Sequence, residues 1–178
     1  MSRRLTERLG EPEPRTPAAP RRAVIALGAN LGDRAATMTE AVADIGRLPM
    51  TSVVATARAV ESVAVTAEGI DESAPRYLNS VVLVDTRLAP TVLLGYLHAI
   101  EARHGRERRE RWGSRTLDLD LIAHGDVRAD TPGLVLPHPR AHEREFVLVP
   151  WLSIDPDAVI PGAGPVADLL AALRGEEP

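Results

Sequence analysis

Residues Thr116 to Ile122, TLDLDLI, alternate between polar and apolar at period two, and no other stretch constrains the chain as tightly. Such alternation is the signature of a strand with one face on a core. Successive side chains of a strand point to opposite faces. Leu117, Leu119 and Leu121 therefore pack inward, while Asp118 and Asp120 project together from the other side. Two acids on one face repel each other, so a cation must compensate. Their Cα atoms lie ~6.5–7 Å apart along a strand, a spacing at which carboxylates can share hard cations, for example two Mg²⁺ ions about 3.5–4 Å apart. A plain solvated strand face is the alternative reading of the same pattern.

The core behind that strand must be aliphatic, because aromatic residues make up only 3% of the chain. Ala23 to Leu27 is a short apolar run ended by Gly28, and so a buried strand. Gly28 to Asp33 (GANLGD) is a turn-rich loop with Asp33 placed to cap a helix, whose apolar positions Met38, Val42, Ile45 and Leu48 run to a stop at Pro49. Thr51 to about Val60 is β-branched and fits a second strand. Glu61 to Arg76 loses all periodicity and reads as a long functional loop. Tyr77 to Asp85 is a third strand, and Pro90 opens a helix with Leu93, Leu97 and Ile100 on one face, with Gly105 as its C-cap. Gly105 to Arg115 is a polar loop before the TLDLDLI strand. Beyond the turn at Gly125 come an extended piece at 133–136, a Pro-rich turn, a helix-prone stretch to about Pro150, and a last helix over 166–173. The order β-α-β-β-α-β predicts an α+β fold, a ferredoxin-like antiparallel sheet with helices packed on it and C-terminal hairpin and helix additions.

Residues 1–22, rich in Pro and Arg and lacking apolar periodicity, predict a disordered tail ahead of a single domain over 23–174. The tail has no apolar segment of a secretory signal, no run approaches the ~20 apolar residues of a membrane span, and a cytoplasmic protein is expected. The chain has no cysteine, which excludes disulfides, thiolate metal sites and a thiol nucleophile. Lysine is absent too, so all 21 basic residues are arginine, and a P-loop NTPase or Schiff-base chemistry is excluded. A net charge of −4 argues against a globally basic nucleic-acid binder.

Three further clusters carry chemistry. Arg103, Arg106, Arg108, Arg109, Arg111 and Arg115 crowd the loop that leads into Asp118. Alone this is a solvated charge run or a generic anion patch. Next to paired carboxylates it matches the second half of a polyphosphate site, with guanidinium forks opposite metal-bound phosphates. Trp112 in that loop either covers a planar ligand or anchors the loop locally. Tyr77 and Asn79 share one strand face, which suits a heterocycle with a polar edge or, more plainly, a rim tyrosine and a strand-end asparagine. Pro137 to Phe146 combines a rigid turn, His138, Arg140, Arg144 and the sole phenylalanine. His138 with His142 lacks a third ligand for zinc.

In order along residues 23–160, GANLGD, YLN, GRERRERWGSRTLDLDLIAHG and LPHPRAHEREFVL resemble the 6-hydroxymethyl-7,8-dihydropterin pyrophosphokinase family of folate biosynthesis. The resemblance implies a ferredoxin-like core and transfer of the β,γ-diphosphate of ATP to the pterin hydroxymethyl group, releasing AMP. It implies two Mg²⁺ ions on Asp118 and Asp120, with Asp118 also beside the pterin. Arg106, Arg115 and His138 match catalytic positions near the phosphates. Arg108, Arg111 and Arg144 match further ATP contacts, as do His98 and Glu101 on the preceding helix. Tyr77 and Phe146 match the aromatic pair around the pterin, Asn79 its edge-reading amide, and Trp112 the residue that closes over it. The partners implied are the two small-molecule substrates alone, without nucleic acid or membrane, and the chain is expected to be a monomer. Three positions depart from the family pattern: Ala29 and Ser114 replace a common serine and proline, and Glu61 to Val65 replaces the usual pterin-loop sequence. The competing readings are a metal-dependent nucleotidyltransferase, which would attack the α-phosphate and release pyrophosphate, and a non-catalytic RNA- or anion-binding module.

Overall fold

The apolar run near the start of the chain is buried on both sides, which explains why it shows no alternation. It lies in β1 (Arg21–Ala29) at the centre of an antiparallel sheet in a computed structural model that describes residues 19–66, 69–71, 75–105 and 116–175. After β1 come α1 (Arg34–Gly46), β2 (Thr51–Thr56), β3 (Val60–Ser62), β4 (Ala64–Thr66), β5 (Gly69–Asp71) and β6 (Tyr77–Thr86). The chain continues through α2 (Pro90–Arg103), β7 (Asp118–His124), β8 (Ala129–Thr131) and β9 (Leu134–Leu136). It ends with a 3₁₀ turn (Ala141–Glu143), α3 (Glu145–Ile154), β10 (Val159–Ile160), β11 (Gly164–Pro165) and α4 (Val166–Arg174). The main sheet runs β2-β6-β1-β7, with β3 pairing alongside the other half of β6. This is the split-βαβ arrangement expected from the element order.

Side chains of β1 divide between two cores. Ile25 and Leu27 pack with Met38, Ala41 and Ile45 of α1, Leu93, Leu97 and Ile100 of α2, and Leu119 and Leu121 of β7. Val24 and Ala26 face the other way, with Val81 and Leu83 of β6, Val147, Leu148 and Trp151 of α3, and Val166 of α4. The C-terminal additions thus build a third layer on the second face. α1 starts where expected, with Asp33 accepting the Ala36 N–H at 3.0 Å. α2 opens on Pro90 and carries Arg103 in its last turn, where a cation opposes the helix dipole.

Several boundaries differ from the sequence reading. β1 begins at Arg21 instead of Ala23, because the ladder to β6 continues past the apolar run and Arg22 Nε donates to Asp85 at 2.7 Å. Gly28 lies inside β1 instead of ending it. The second strand is interrupted: β2 carries an irregularity between Val53 and Ala55 and stops at Thr56, and pairing with β6 resumes only in β3. In between, Ala57 N–H donates to Val81 O at 2.9 Å and the Ser80 hydroxyl to Ala57 O at 2.8 Å. The segment expected as an aperiodic loop from Glu61 to Arg76 contains the end of β3 and the β4–β5 hairpin. Short strands of a few residues leave too little periodicity to read. α3 also runs through Pro150 to Ile154.

Leu97 is fully buried between α2 and the sheet. Leu97→Ala is expected to cost about 2–5 kcal/mol of folding stability, read as a lower urea midpoint with an unchanged m-value; an unshifted midpoint would show that the first core does not hold the helix.

Candidate active site

Strand register assembles the site. Gly28 of β1 pairs with Asp118 of β7 on one side and with Asn79 of β6 on the other. Directly opposed residues of antiparallel strands share a face, so Asp118, Gly28 and Asn79 form one row across three strands. In the next row Asp120 pairs with Ala26, and Ala26 with Val81, both members of the core under α3. The two carboxylates, Asn79 and Tyr77 therefore emerge on the face that α3 packs against.

Gly28 matters because it lacks a side chain. A Cβ there would lie 3.3 Å from Asn79 Oδ1 and 4.0 Å from Tyr77 Cδ1, so glycine leaves a trough between the acidic and aromatic sides. Asn79 is buried, and its Nδ2 donates to Ser62 Oγ at 2.9 Å, which orients the amide. The base of the β4–β5 excursion is held from α1: Arg34 Nη1 donates to Arg76 O at 2.7 Å and Nη2 to Glu61 Oε1 at 3.1 Å. Gly28, Ser62 and Arg34 were not singled out as site residues from the sequence. Only Gly28 carried a signal, as a glycine adjoining an apolar run.

The acidic side has a cation in place, with an imidazole beside it. Arg144 Nη1 donates to Asp120 Oδ2 at 3.0 Å, and His138 Nε2 lies 3.9 Å from the same oxygen. Arg144 also stands over the Phe146 ring, its Cζ 5.7 Å from the centroid, and Phe146 is partly buried against the second core. His138 is fixed through its backbone, whose N–H donates to Ile122 O at 2.8 Å. Its Nδ1 accepts the Arg140 N–H at 3.2 Å, which leaves the proton of the neutral ring on Nε2, facing Asp120. Burial holds the His138 imidazole below the ordinary value of 6.5; the Asp120 charge opposes this, while Arg144 and Arg140 add to it. The ring is accordingly neutral near pH 7.

Tyr77, Asn79, Asp118, Asp120, His138, Arg144 and Phe146 are thus brought to one face. His98 and Glu101 stand apart from them, on α2 across the sheet. His98 is exposed, whereas Glu101 is only 1% exposed and its Oε1 accepts the Leu119 N–H at 2.8 Å. The expected roles of Arg106, Arg108, Arg111, Trp112 and Arg115 fall outside the described residues. Among the described residues no group of three or more His, Asp or Glu side chains converges on a metal position. A pair of aspartates on one strand suits Mg²⁺, which completes its shell with water and substrate phosphates instead of a protein cage. Arg144 is the cation already paired with Asp120.

The ferredoxin-like sheet thus carries carboxylates and a cation at one end of its open face and an aromatic ring with a fixed amide at the other, the class of site that suits a charged ligand beside a flat one. The family model for 7,8-dihydro-6-hydroxymethylpterin-pyrophosphokinase (HPPK) matches residues 24–156. Relatives include the 2-amino-4-hydroxy-6-hydroxymethyldihydropteridine pyrophosphokinases of Pseudomonas aeruginosa, 39% identical over 87% of this chain and 93% of that one, and of Methylorubrum extorquens, 40% identical over 85% and 93%. The chain belongs to the HPPK family. Its fold is similar to that of an HPPK-DHPS crystallised with substrates (TM-score 0.64, 12% identity, 86% of this chain) and to a Plasmodium falciparum HPPK-DHPS (TM-score 0.65, 12% identity, 86% of this chain). The chain spans 43% and 45% of the length of those two chains.

Two outcomes follow from this geometry. In an NMR pH titration His138 should show a midpoint below 6.5, and Asp120→Asn should move it further down by removing the opposing charge; an upward move would overturn the assignment. Because the folded value is depressed, the unfolded chain binds the extra proton first, so His138 withdraws stability as pH falls from about 6.5 towards its folded midpoint. Gly28→Ala should push the Asn79 amide and raise the KM for the flat substrate about ten-fold with the fold intact, and an unchanged KM would show that the trough does not hold it.

Proposed function

We propose that this chain transfers the β,γ-diphosphate of ATP to the hydroxymethyl group of 6-hydroxymethyl-7,8-dihydropterin, giving the pterin diphosphate and AMP. The observation that carries the reading is the row Asp118–Gly28–Asn79, with a carboxylate and an amide on either side of a glycine. Family membership and the names of the relatives support the same reaction.

Attack of a primary alcohol on the β-phosphorus needs in-line geometry and charge neutralisation and little covalent help from the protein. In this reading Tyr77 and Phe146 flank the pterin ring and Asn79 reads its polar edge. Asp118 and Asp120 would hold two Mg²⁺ ions, whose chemistry there would be neutralisation of phosphate charge and a lowered pKa for a nearby hydroxyl. Arg144, paired with Asp120 in this structure, turns to the phosphates as a guanidinium fork. His138 keeps its proton on Nε2 and offers it as a neutral donor beside the transferred group. Arg106 and Arg115, with Arg108 and Arg111, are assigned to the phosphates and Trp112 to the pterin, in keeping with the family resemblance. ATP and the pterin are the partners of a monomeric, cytoplasmic enzyme. Among the described residues no helix is long and apolar enough to cross a membrane.

The test is chromatographic analysis of nucleotide products with ATP, Mg²⁺ and the pterin. Stoichiometric AMP and a pterin diphosphate, dependent on all three, are expected; pyrophosphate would point to nucleotidyl transfer and overturn the reading. Asp118→Ala and Asp120→Ala should each remove turnover while circular dichroism stays that of the parent, and near-parental activity in either would remove the metal assignment.

A further inference from the structure

The strand that carries both aspartates is the end strand of the main sheet, and among the described residues its outer side is met by Glu101 and by the main chain of His138. Glu101 Oε1 accepts the Leu119 N–H at 2.8 Å, and Ile122 O accepts the His138 N–H at 2.8 Å. Glu101 comes from α2, across the sheet from the carboxylates, among Leu97, Ile100 and Leu119 of the first core. A carboxylate is costly to place in apolar surroundings and stays there only when it is well bonded. An outward main-chain N–H of an end strand could be satisfied by water at far lower cost. This hydrogen bond of Glu101 falls on the one residue between Asp118 and Asp120.

We propose that Glu101 is a positioning residue that sets the geometry of the Asp118–Asp120 pair through the main chain of β7, and so tunes divalent-cation affinity without touching cation or substrate. The inference rests on the reading of those aspartates as metal ligands. The Leu119 N–H shares its peptide plane with the carbonyl of Asp118, and the Asp120 peptide follows directly. Fixing Leu119 therefore fixes the directions in which the two flanking side chains leave the strand. Mg²⁺ requires near-ideal octahedral geometry, so a small rotation of either carboxylate weakens its hold. Residues that orient metal ligands commonly change affinity about 10–100-fold when replaced.

Titration calorimetry of Mn²⁺, in the presence of the α,β-methylene analogue of ATP, reads the effect without turnover. Glu101→Gln keeps an oxygen acceptor for the Leu119 N–H and should bind Mn²⁺ within about three-fold of the parent, whereas Glu101→Ala should weaken it about ten-fold or more. Amide exchange at Leu119 should accelerate in Glu101→Ala and stay slow in Glu101→Gln. Glu101→Asp keeps the charge but withdraws the acceptor by one methylene; it should behave as the alanine variant does and serves if that variant does not fold. Parental Mn²⁺ affinity in Glu101→Ala or Glu101→Asp, with the Leu119 amide exchanging freely, would overturn the proposal. An equal loss in Glu101→Gln would also overturn it, since charge and not position would then be the cause. Asp118→Ala separates the two readings: if it leaves Mn²⁺ binding untouched, the metal assignment itself has failed, and if it removes binding while Glu101→Ala does not, only the positioning role has.

Discussion

Pairing of β1 with β6 and β7 governs everything else in this molecule. β1 is buried on both faces and hydrogen-bonded along both edges, so its position leaves little freedom to the strands beside it. Because side chains alternate with period two, a slip of one residue in either register would turn the paired residues to the wrong face. With Gly28 opposite both Asp118 and Asn79, the carboxylates and the amide open onto the same trough. One residue of slip on β7 would drive Asp118 and Asp120 into the core of α1 and α2. Exclusion of charge from that core is what makes the register strict.

Electrostatics on the open face follow from the same placement. Two aspartates on one strand face need a positive partner, and the segment after β9 delivers Arg144 directly, with the His138 ring at longer range. The turn carrying His138 is hydrogen-bonded to Ile122 of β7, so the imidazole and the carboxylate it faces are fixed to one strand. Burial keeps that ring neutral although a carboxylate lies nearby, because desolvation of the imidazolium outweighs the attraction of the partly exposed Asp120. The result is a polar group that can donate a hydrogen bond near neutral pH without adding to the positive charge that Arg144 supplies.

Much of the architecture was legible in the chain. Asp33 capping α1, Pro90 opening α2, and the alternation of TLDLDLI each state a local preference that the fold keeps. Legibility failed where periodicity is short or interrupted: the break between β2 and β3, the β4–β5 hairpin, and the two extra residues of β1. The first and last depend on hydrogen bonds to β6 and the hairpin on pairing between two three-residue strands, and no run of four to eight residues encodes its partner. Glu101 shows a second kind of failure. Its helix and its polarity were readable, but a carboxylate on a helix can face water, a ligand or a backbone, and only packing against β7 selected the backbone.

Sequence alone determined the class of fold, the aliphatic character of the core, the identity of the carboxylate pair and the resemblance that led to the family, because these rest on local spacing and side-chain chemistry. Tertiary structure decided which face the carboxylates share with Tyr77 and Asn79, which cation stands against Asp120, and which buried residue bonds to the strand between them. Those outcomes depend on register between segments about 50 to 100 residues apart, and register is set by the cost of burying a charge or exposing an apolar side chain across the whole sheet.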